Sequence, residues 1–330
     1  MILSHKSDIA DAAGCAPFAW RAAPLRSFVL IFCVCSAAFL GACGRSHETA
    51  GHKPLVVASF FPLYDFAREI GGTNVEVRCL VPPGGDPHEA EPTPSSAQAV
   101  VQSDLVLLLG LGMDRWVNKL AATEGKTRVA TINDGLPLRP MGKAALSEFS
   151  SASPDAGEID PHVWLDPVLA QTLAQRITTQ LVKLAPEHRA EIEARGASFI
   201  GELQKLDRDF SNTCANLPNR RVATFHGAFG YLFARYHLET AGVIEQFPGN
   251  EPSAAYLRQL VDLMRTLKVK VIFAEPQLPD RPARVIAREI GGRVERLDPC
   301  ETILPEAPQA TYLERQRKNL ETLRDVLSAP

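Results

Sequence analysis

The chain of 330 residues has no large excess of either charge and few cysteines, and each absence excludes a class of protein. Its 35 Lys and Arg residues nearly balance its 38 Asp and Glu residues, and no basic run suggests a nucleic-acid surface. Seven cysteines are too few for a disulfide scaffold. A charged fraction of 22% is low for a coiled coil, and a hydrophobic fraction of 45% argues against disorder. At about twice the typical ~150-residue domain, the length predicts a folded protein of two domains.

The sequence also lacks the common catalytic motifs. It contains no HExxH, no GxSxG, no P-loop and no GxGxxG that opens a helix. The signatures by which many hydrolases and nucleotide-binding enzymes are found are therefore missing.

The first 42 residues have the pattern of an export signal. Residues 27–40 carry no charge and follow Arg21 and Arg26. This apolar run is short for a membrane-spanning helix, which needs ~20 residues, and fits a signal-peptide core. The next residues, Leu40-Gly41-Ala42-Cys43, resemble a bacterial lipobox. We predict cleavage after residue 42, lipidation of Cys43 and a tether over 43–53; an uncleaved anchor or a buried helix is the alternative.

The predicted export determines whether the remaining cysteines can form disulfides. An oxidising compartment allows disulfides, and three cysteines other than Cys43 would remain after cleavage. The favoured pair is Cys214 with Cys300, because both fall in the second half of the chain.

Short apolar runs alternate with helical periodicity in both halves of the mature chain. Runs such as 105–109 are apolar throughout, which is typical of strands in a parallel sheet covered by helices on both faces. Between the halves, a helix of about 27 residues begins near Pro186 and would be ~40 Å long; Gly196 is a local weakness in it. The predicted fold class is α/β, with two parallel-sheet domains joined by one long rigid helix and a ligand cleft between them. The predicted divisions are an N-terminal lobe over 54–167, a helical region over 168–216 and a C-terminal lobe over 217–330.

Three histidines occupy positions where a strand or loop enters a helix: His88, His162 and His226. Ligands of open parallel sheets bind beyond the carboxyl ends of the strands, so these side chains can converge. Asp298 ends the last strand and can add an oxygen. Three imidazoles with one carboxylate or water suit tetrahedral zinc, whereas manganese prefers more oxygen ligands.

Several other carboxylates lie near these positions. Asp86 and Asp160 each precede a histidine by two residues and are candidates for orienting it or capping a helix. Glu275 follows a strand end and is a secondary candidate, although a capping role is the alternative. Glu89 is the general base that a metal-dependent hydrolase would need. The alternative for the histidines themselves is that they only cap helices or bind backbone carbonyls.

Five segments together resemble the zinc or manganese substrate-binding lipoproteins of ABC transporters, the cluster A-I family. The segments are Phe60-Phe61-Pro62-Leu63-Tyr64-Asp65, residues 80–95 (LVPPGGDPHEAEPTPS), residues 160–167 (DPHVWLDP), residues 226–231 (HGAFGY) and residues 273–277 (FAEPQ). The resemblance spans roughly residues 54–300 and implies two α/β domains, one long linking helix and a metal site in the cleft.

The resemblance also implies a ligand set. His88, His162 and His226 match the family's three ligand positions, and Asp298 best matches its acidic fourth position, although Pro299-Cys300-Glu301 departs from the usual sequence. Where manganese-binding members carry Glu, this chain carries His226, which favours Zn²⁺ over Mn²⁺. The loop over 139–159 contains no histidine, so metal collection by a His-rich loop is not expected.

The implied function is capture of Zn²⁺ outside the cytoplasm and delivery to an ABC permease in the inner membrane. The protein is expected to be a monomer, periplasmic or at the cell surface, held to the membrane by its lipid and without a nucleic-acid partner. The alternatives are a manganese-specific protein of the same type, a metal-dependent hydrolase that uses Glu89, and an adhesin. A rigid linking helix implies small closure on metal binding.

Overall fold

The computed structural model describes residues 53–124, 128–141, 159–245, 249 and 252–328. The predicted signal peptide, Cys43 and all but the last residue of the predicted tether lie outside these ranges. Within them, no helix combines the length and the apolar character that crossing a bilayer requires.

Two four-stranded sheets form the framework, and all their strand pairs are parallel. The first has the order β2-β1-β3-β4 and the second the order β6-β5-β7-β8. The strands are β1 (Leu55–Ala58), β2 (Glu76–Cys79), β3 (Leu105–Leu108), β4 (Arg128–Thr131), β5 (Arg221–His226), β6 (Glu239–Glu245), β7 (Val271–Ala274) and β8 (Arg293–Arg296). The predicted fold class of two parallel-sheet α/β domains is confirmed.

Helices connect the strands and cover the sheets. They are α1 (Phe61–Gly71), α2 (Pro94–Gln102), α3 (Arg115–Glu124), α4 (Pro167–Leu184), α5 (Arg189–Ala215), α6 (Gly230–Arg235), α7 (Ala254–Thr266), α8 (Arg281–Glu289) and α9 (Tyr312–Leu327). Every residue of β1 and β3 is buried, as expected for central strands with both faces covered. Thr93 caps α2 and forms a capping box with Ser96.

The long helix α5 has 27 residues, or about 40 Å at 1.5 Å per residue. It packs against α1, α4 and α9. Its large buried side chains recur at helical spacing along one face: Ile192, Phe199, Leu203, Leu206 and Phe210.

Gly196 has a packing role that helix propensity alone does not reveal. A Cβ at this position would lie 2.4 Å from Thr178 Oγ1 of α4. The glycine therefore permits the close approach of α4 and α5.

The predicted disulfide is wrong, because Cys79, Cys214 and Cys300 are all free thiols. Cys214 lies in the last turn of α5, whereas Cys300 lies in the loop after β8 with its Sγ 3.7 Å from the carbonyl oxygen of Asp298. Burial raises the pKa of Cys214 to about 11 and that of Cys300 well above its usual value. Buried thiols of this kind are unreactive.

Candidate metal centre

Three imidazoles and one carboxylate meet at a single point. His88, His162, His226 and Glu301 each offer one ligand atom, and these atoms all lie within 4.8 Å of one another. The Nε2 atom of His162 is 3.3 Å from that of His88 and 3.3 Å from that of His226. Glu301 Oε1 lies 3.4 Å from Nε2 of His88, 3.1 Å from that of His162 and 3.7 Å from that of His226.

Both halves of the fold contribute to this cluster. His88 lies in the loop after β2, and His162 directly precedes the 3₁₀ turn Val163–Leu165 that leads into α4. His226 is the last residue of β5, and Glu301 lies in the loop between β8 and α9. The His162 and His226 side chains are fully buried, whereas that of His88 is 13% exposed. Among the four side chains, His88 is therefore the one that solvent reaches.

Carboxylates fix the orientation of the two buried rings. His162 Nδ1 is 2.8 Å from Asp160 Oδ1, and His226 Nδ1 is 2.5 Å from Glu275 Oε1. A neutral imidazole that donates from Nδ1 to a carboxylate presents the lone pair of Nε2. Two such lone pairs facing each other repel unless a proton or a metal cation lies between them.

The other two predicted carboxylates do not contact a ring. Asp86 Oδ1 accepts a hydrogen bond of 2.8 Å from the backbone N–H of His88 and so holds the loop rather than the imidazole. Glu89 is exposed and does not belong to the cluster. The general base that the hydrolase alternative needs is therefore not among the clustered groups.

The carboxylate beside the imidazoles is Glu301 and not Asp298, which was predicted as the fourth ligand. Asp298 forms two hydrogen bonds of 2.6 Å with the guanidinium of Arg315 and accepts one of 2.8 Å from the backbone N–H of Cys300. Its oxygens are thus occupied. Cys300 has a φ of 54°, in the left-handed region, and this tight turn separates the two carboxylates.

Further hydrogen bonds hold the Glu301 loop from two sides. Arg315 Nη1 donates to the carbonyl of Thr302 at 2.7 Å, and Asn319 Nδ2 donates to the carbonyl of Asp298 at 2.7 Å. From the 3₁₀ turn before α4, Trp164 Nε1 donates to the carbonyl of Pro299 at 2.8 Å. This last bond ties the His162 turn to the Glu301 loop.

Within the cluster, the carboxylates raise the pKa values of His162 and His226, and the imidazoles lower the pKa of Glu301. Burial lowers the pKa of His162, but its hydrogen bonds to Asp160 and Glu301 outweigh this and raise it to about 10. For His226, burial is likewise outweighed by Glu275 and Glu301, so its pKa is raised. Burial tends to raise the pKa of Glu301, but His226, His162 and His88 hold it well below its usual value. Without a cation, a proton on His162 is stabilised by the buried carboxylates of Asp160 and Glu301.

The separations fit a four-coordinate ion. Zinc binds nitrogen and carboxylate oxygen at about 2.0–2.2 Å in a tetrahedron, which places neighbouring ligand atoms about 3.3–3.6 Å apart. The three distances from Glu301 Oε1 to the imidazoles and the two from His162 Nε2 to the other Nε2 atoms range from 3.1 to 3.7 Å, and all four ligand atoms lie within 4.8 Å of one another. Three imidazole nitrogens and one carboxylate also form a donor set typical of zinc rather than of magnesium or calcium.

Proteins of known role match nearly the whole chain. The ZnuA protein of the high-affinity zinc uptake system of Bacillus subtilis is 32% identical over 306 residues, which cover 89% of this chain and 96% of that protein. The zinc-binding lipoprotein AdcA of Streptococcus pneumoniae strain R6 is 29% identical over 305 residues, and the match spans 61% of its length.

Solved structures share the fold. The laminin-binding protein Lmb of Streptococcus agalactiae, described as having adhesin and metal-transporting activity, matches with a TM-score of 0.74 and 30% identity, over 84% of this chain and all of that one. The Zn(II)-bound ZnuA-like domain of S. pneumoniae AdcA matches with a TM-score of 0.71 and 28% identity over the same shares. A family profile described as the periplasmic component A of the zinc-uptake complex matches residues 56–326. The chain therefore belongs to this ZnuA family, whose members are solute-binding proteins of ABC transporters and not enzymes.

Proposed function

We propose that this protein captures one Zn²⁺ with His88, His162, His226 and Glu301 and delivers it to an ABC permease. The observation that carries the proposal is the convergence of four ligand atoms within 4.8 Å of one another, with His162 Nε2 3.1 to 3.3 Å from the other three. The carboxylates behind His162 and His226 support it, because they direct both Nε2 lone pairs at the same point.

The donor set supports zinc over manganese as the cargo. Three of the four ligand atoms are imidazole nitrogens, and the one carboxylate supplies a single oxygen to the cluster. Manganese is best bound by more oxygen atoms and a larger coordination number. The names of the relatives, which refer to zinc uptake and zinc binding, agree with this choice.

The site of action is proposed to be outside the cytoplasm. A periplasmic zinc-uptake component meets its cargo before the membrane, which agrees with the export signal predicted over residues 1–42. We propose that Cys43 is lipidated, that residues 43–53 form the tether and that the mature protein is a monomer. We further propose lobes over 54–167 and 217–330, connected by the helical region 168–216.

Metal titration of purified variants tests the proposal. Wild-type protein is expected to bind one Zn²⁺, and His88→Ala, His162→Ala and His226→Ala are each expected to weaken binding by at least about 10-fold. His188→Ala is the matched control, because the His188 side chain is 43% exposed in the turn before α5 and lies outside the cluster. Full zinc binding by the three cluster variants, or its loss in the control, would contradict the proposed site.

A further inference from the structure

One amide group connects two carboxylates of the metal centre. Gln277 Nε2 lies 2.9 Å from Glu275 Oε2 and 3.3 Å from Glu301 Oε2. Glu275 is the residue that fixes the ring of His226, and Glu301 is the residue that faces all three imidazoles. Gln277 therefore bridges the carboxylate that orients a ligand and the carboxylate that would be a ligand.

The orientation of this amide follows from the charges around it. An NH₂ group has two hydrogens, so it can donate to both carboxylates at once. Gln277 Oε1 is buried and has no hydrogen-bond partner among the residues that the structure describes. Rotating the amide by half a turn would place that oxygen against two carboxylates, so the NH₂ group must face them despite the unpaired carbonyl.

Because of the hydrogen bond from Gln277, the two oxygens of Glu301 have different partners. Oε1 faces the imidazoles at 3.1 to 3.7 Å, whereas Oε2 accepts from Gln277. An oxygen held by this amide is turned away from the metal position. Glu301 is then left with one oxygen for an ion, which gives three nitrogens and one oxygen.

We propose that Gln277 is a positioning residue that keeps Glu301 monodentate and thereby favours zinc over manganese. This inference rests on the proposed function, in which Glu301 is a ligand. A carboxylate free to bind through both oxygens would raise the coordination number and the oxygen count, and both changes suit manganese better than tetrahedral zinc.

The test compares Gln277→Met, which has a side chain of similar length without a donor, with wild-type protein. Gln277→Glu is a second variant of nearly equal volume that also lacks the NH₂ group. Gln175→Met is the matched control, since Gln175 is exposed on α4. Each purified protein is titrated with zinc and with manganese alone, and cobalt is used as a spectroscopic substitute for zinc.

The ratio of zinc affinity to manganese affinity should fall by about 10-fold in both Gln277 variants, the size of effect typical of residues that support a ligand. The intense visible bands of four-coordinate cobalt should weaken as a fifth ligand atom binds. The control should match wild type in both measurements. An unchanged affinity ratio with an unchanged cobalt spectrum in a folded Gln277 variant overturns the inference.

A crystal structure of zinc-loaded wild-type protein supplies an independent test. The inference requires that only Oε1 of Glu301 contacts the ion, with Oε2 still bound to Gln277. Zinc held by both oxygens of Glu301 would overturn it while leaving the proposed function intact. Failure of the wild-type protein to bind zinc at the histidines would instead overturn the proposed function itself.

Discussion

Two acidic side chains three residues apart have separate roles in the loop between β8 and α9. Asp298 is bound to the buried guanidinium of Arg315 and shapes the loop, while Glu301 faces the imidazoles. The positive φ of Cys300, together with the hydrogen bonds from α9, gives the loop the shape that separates them. Substituting each residue should therefore change a different property.

Glu301→Gln should weaken zinc binding by about 100-fold or more, because an amide is a poorer ligand than a carboxylate and even supporting residues contribute about 10–100-fold. Asp298→Asn should instead destabilise the fold by about 3–5 kcal/mol, because it leaves the buried Arg315 charge without its partner. Zinc titration and chemical denaturation distinguish the two. If a folded Asp298→Asn protein lost zinc binding while the Glu301→Gln protein retained it, Asp298 rather than Glu301 would be the ligand.

Zinc binding should release protons at and above neutral pH. The pKa of His162 is about 10 without metal, so at neutral pH its imidazole carries a proton that an ion must displace. The pKa of His226 is shifted in the same direction. Apparent affinity should rise as the pH increases from 7 towards 10 and fall as the pH decreases, whereas a free imidazole would give this dependence near pH ~6.5. Calorimetry in buffers of different ionisation enthalpy measures the protons released. Zinc binding at pH 8 without proton release would contradict the coupling between the histidines and their carboxylates.

At the scale of elements, helices α4 and α5 approach so closely at Gly196 that no side chain fits there. Thr178 lies against this position and is β-branched, so it has little freedom to move aside. Gly201 lies on the same helix, and a Cβ added there would meet no atom of the described part of the chain within 4 Å. The two glycines should therefore respond oppositely to the same substitution.

Gly196→Ala should destabilise the protein by about 1–3 kcal/mol through overpacking, although alanine is the better helix former. Gly201→Ala should stabilise it by roughly 0.5–1 kcal/mol, because only the helix propensity changes. Thermal or chemical denaturation of both variants provides the comparison. Equal stabilisation by the two substitutions would show that α4 and α5 are not closely packed at Gly196.

Sequence patterns predict the elements and the histidines but not the fourth clustered residue. Apolar runs identify β1 and β3 because both faces of these strands are buried, and the exits from strands and loops identify His88, His162 and His226. Glu301 escapes prediction because its position depends on a left-handed backbone at Cys300. Arg315, whose guanidinium binds Asp298, lies 17 residues later in the sequence, on helix α9. No local pattern reveals that Asp298 is already paired. The second acidic residue in Asp298-Pro299-Cys300-Glu301 is the only local signal.

At the scale of the whole molecule, the contacts of the long helix α5 limit how far the cleft can open or close. Helix α5 packs against α1, α4 and α9, and the Trp164–Pro299 hydrogen bond links the His162 turn to the Glu301 loop. Wide separation of the two sheets would break these contacts. The cluster residues already lie at ligand separations, so an ion needs little further approach of the lobes.

Solution scattering with and without zinc should therefore show only a small change in the radius of gyration. The metal-free and metal-loaded states are measured on the same sample, before and after addition of zinc, so that differences in concentration do not enter the comparison. A large decrease in the radius of gyration would indicate a wide clamshell movement and contradict the rigid connection.

Anomalous diffraction from crystals of the zinc-loaded protein, recorded at the zinc absorption edge, shows directly whether the three histidines and Glu301 share one ion. We expect one zinc ion bound by Nε2 of His88, His162 and His226 and by Oε1 of Glu301, at about 2.0–2.2 Å from each. A zinc peak elsewhere, or three histidine rings that share no ion, would contradict it.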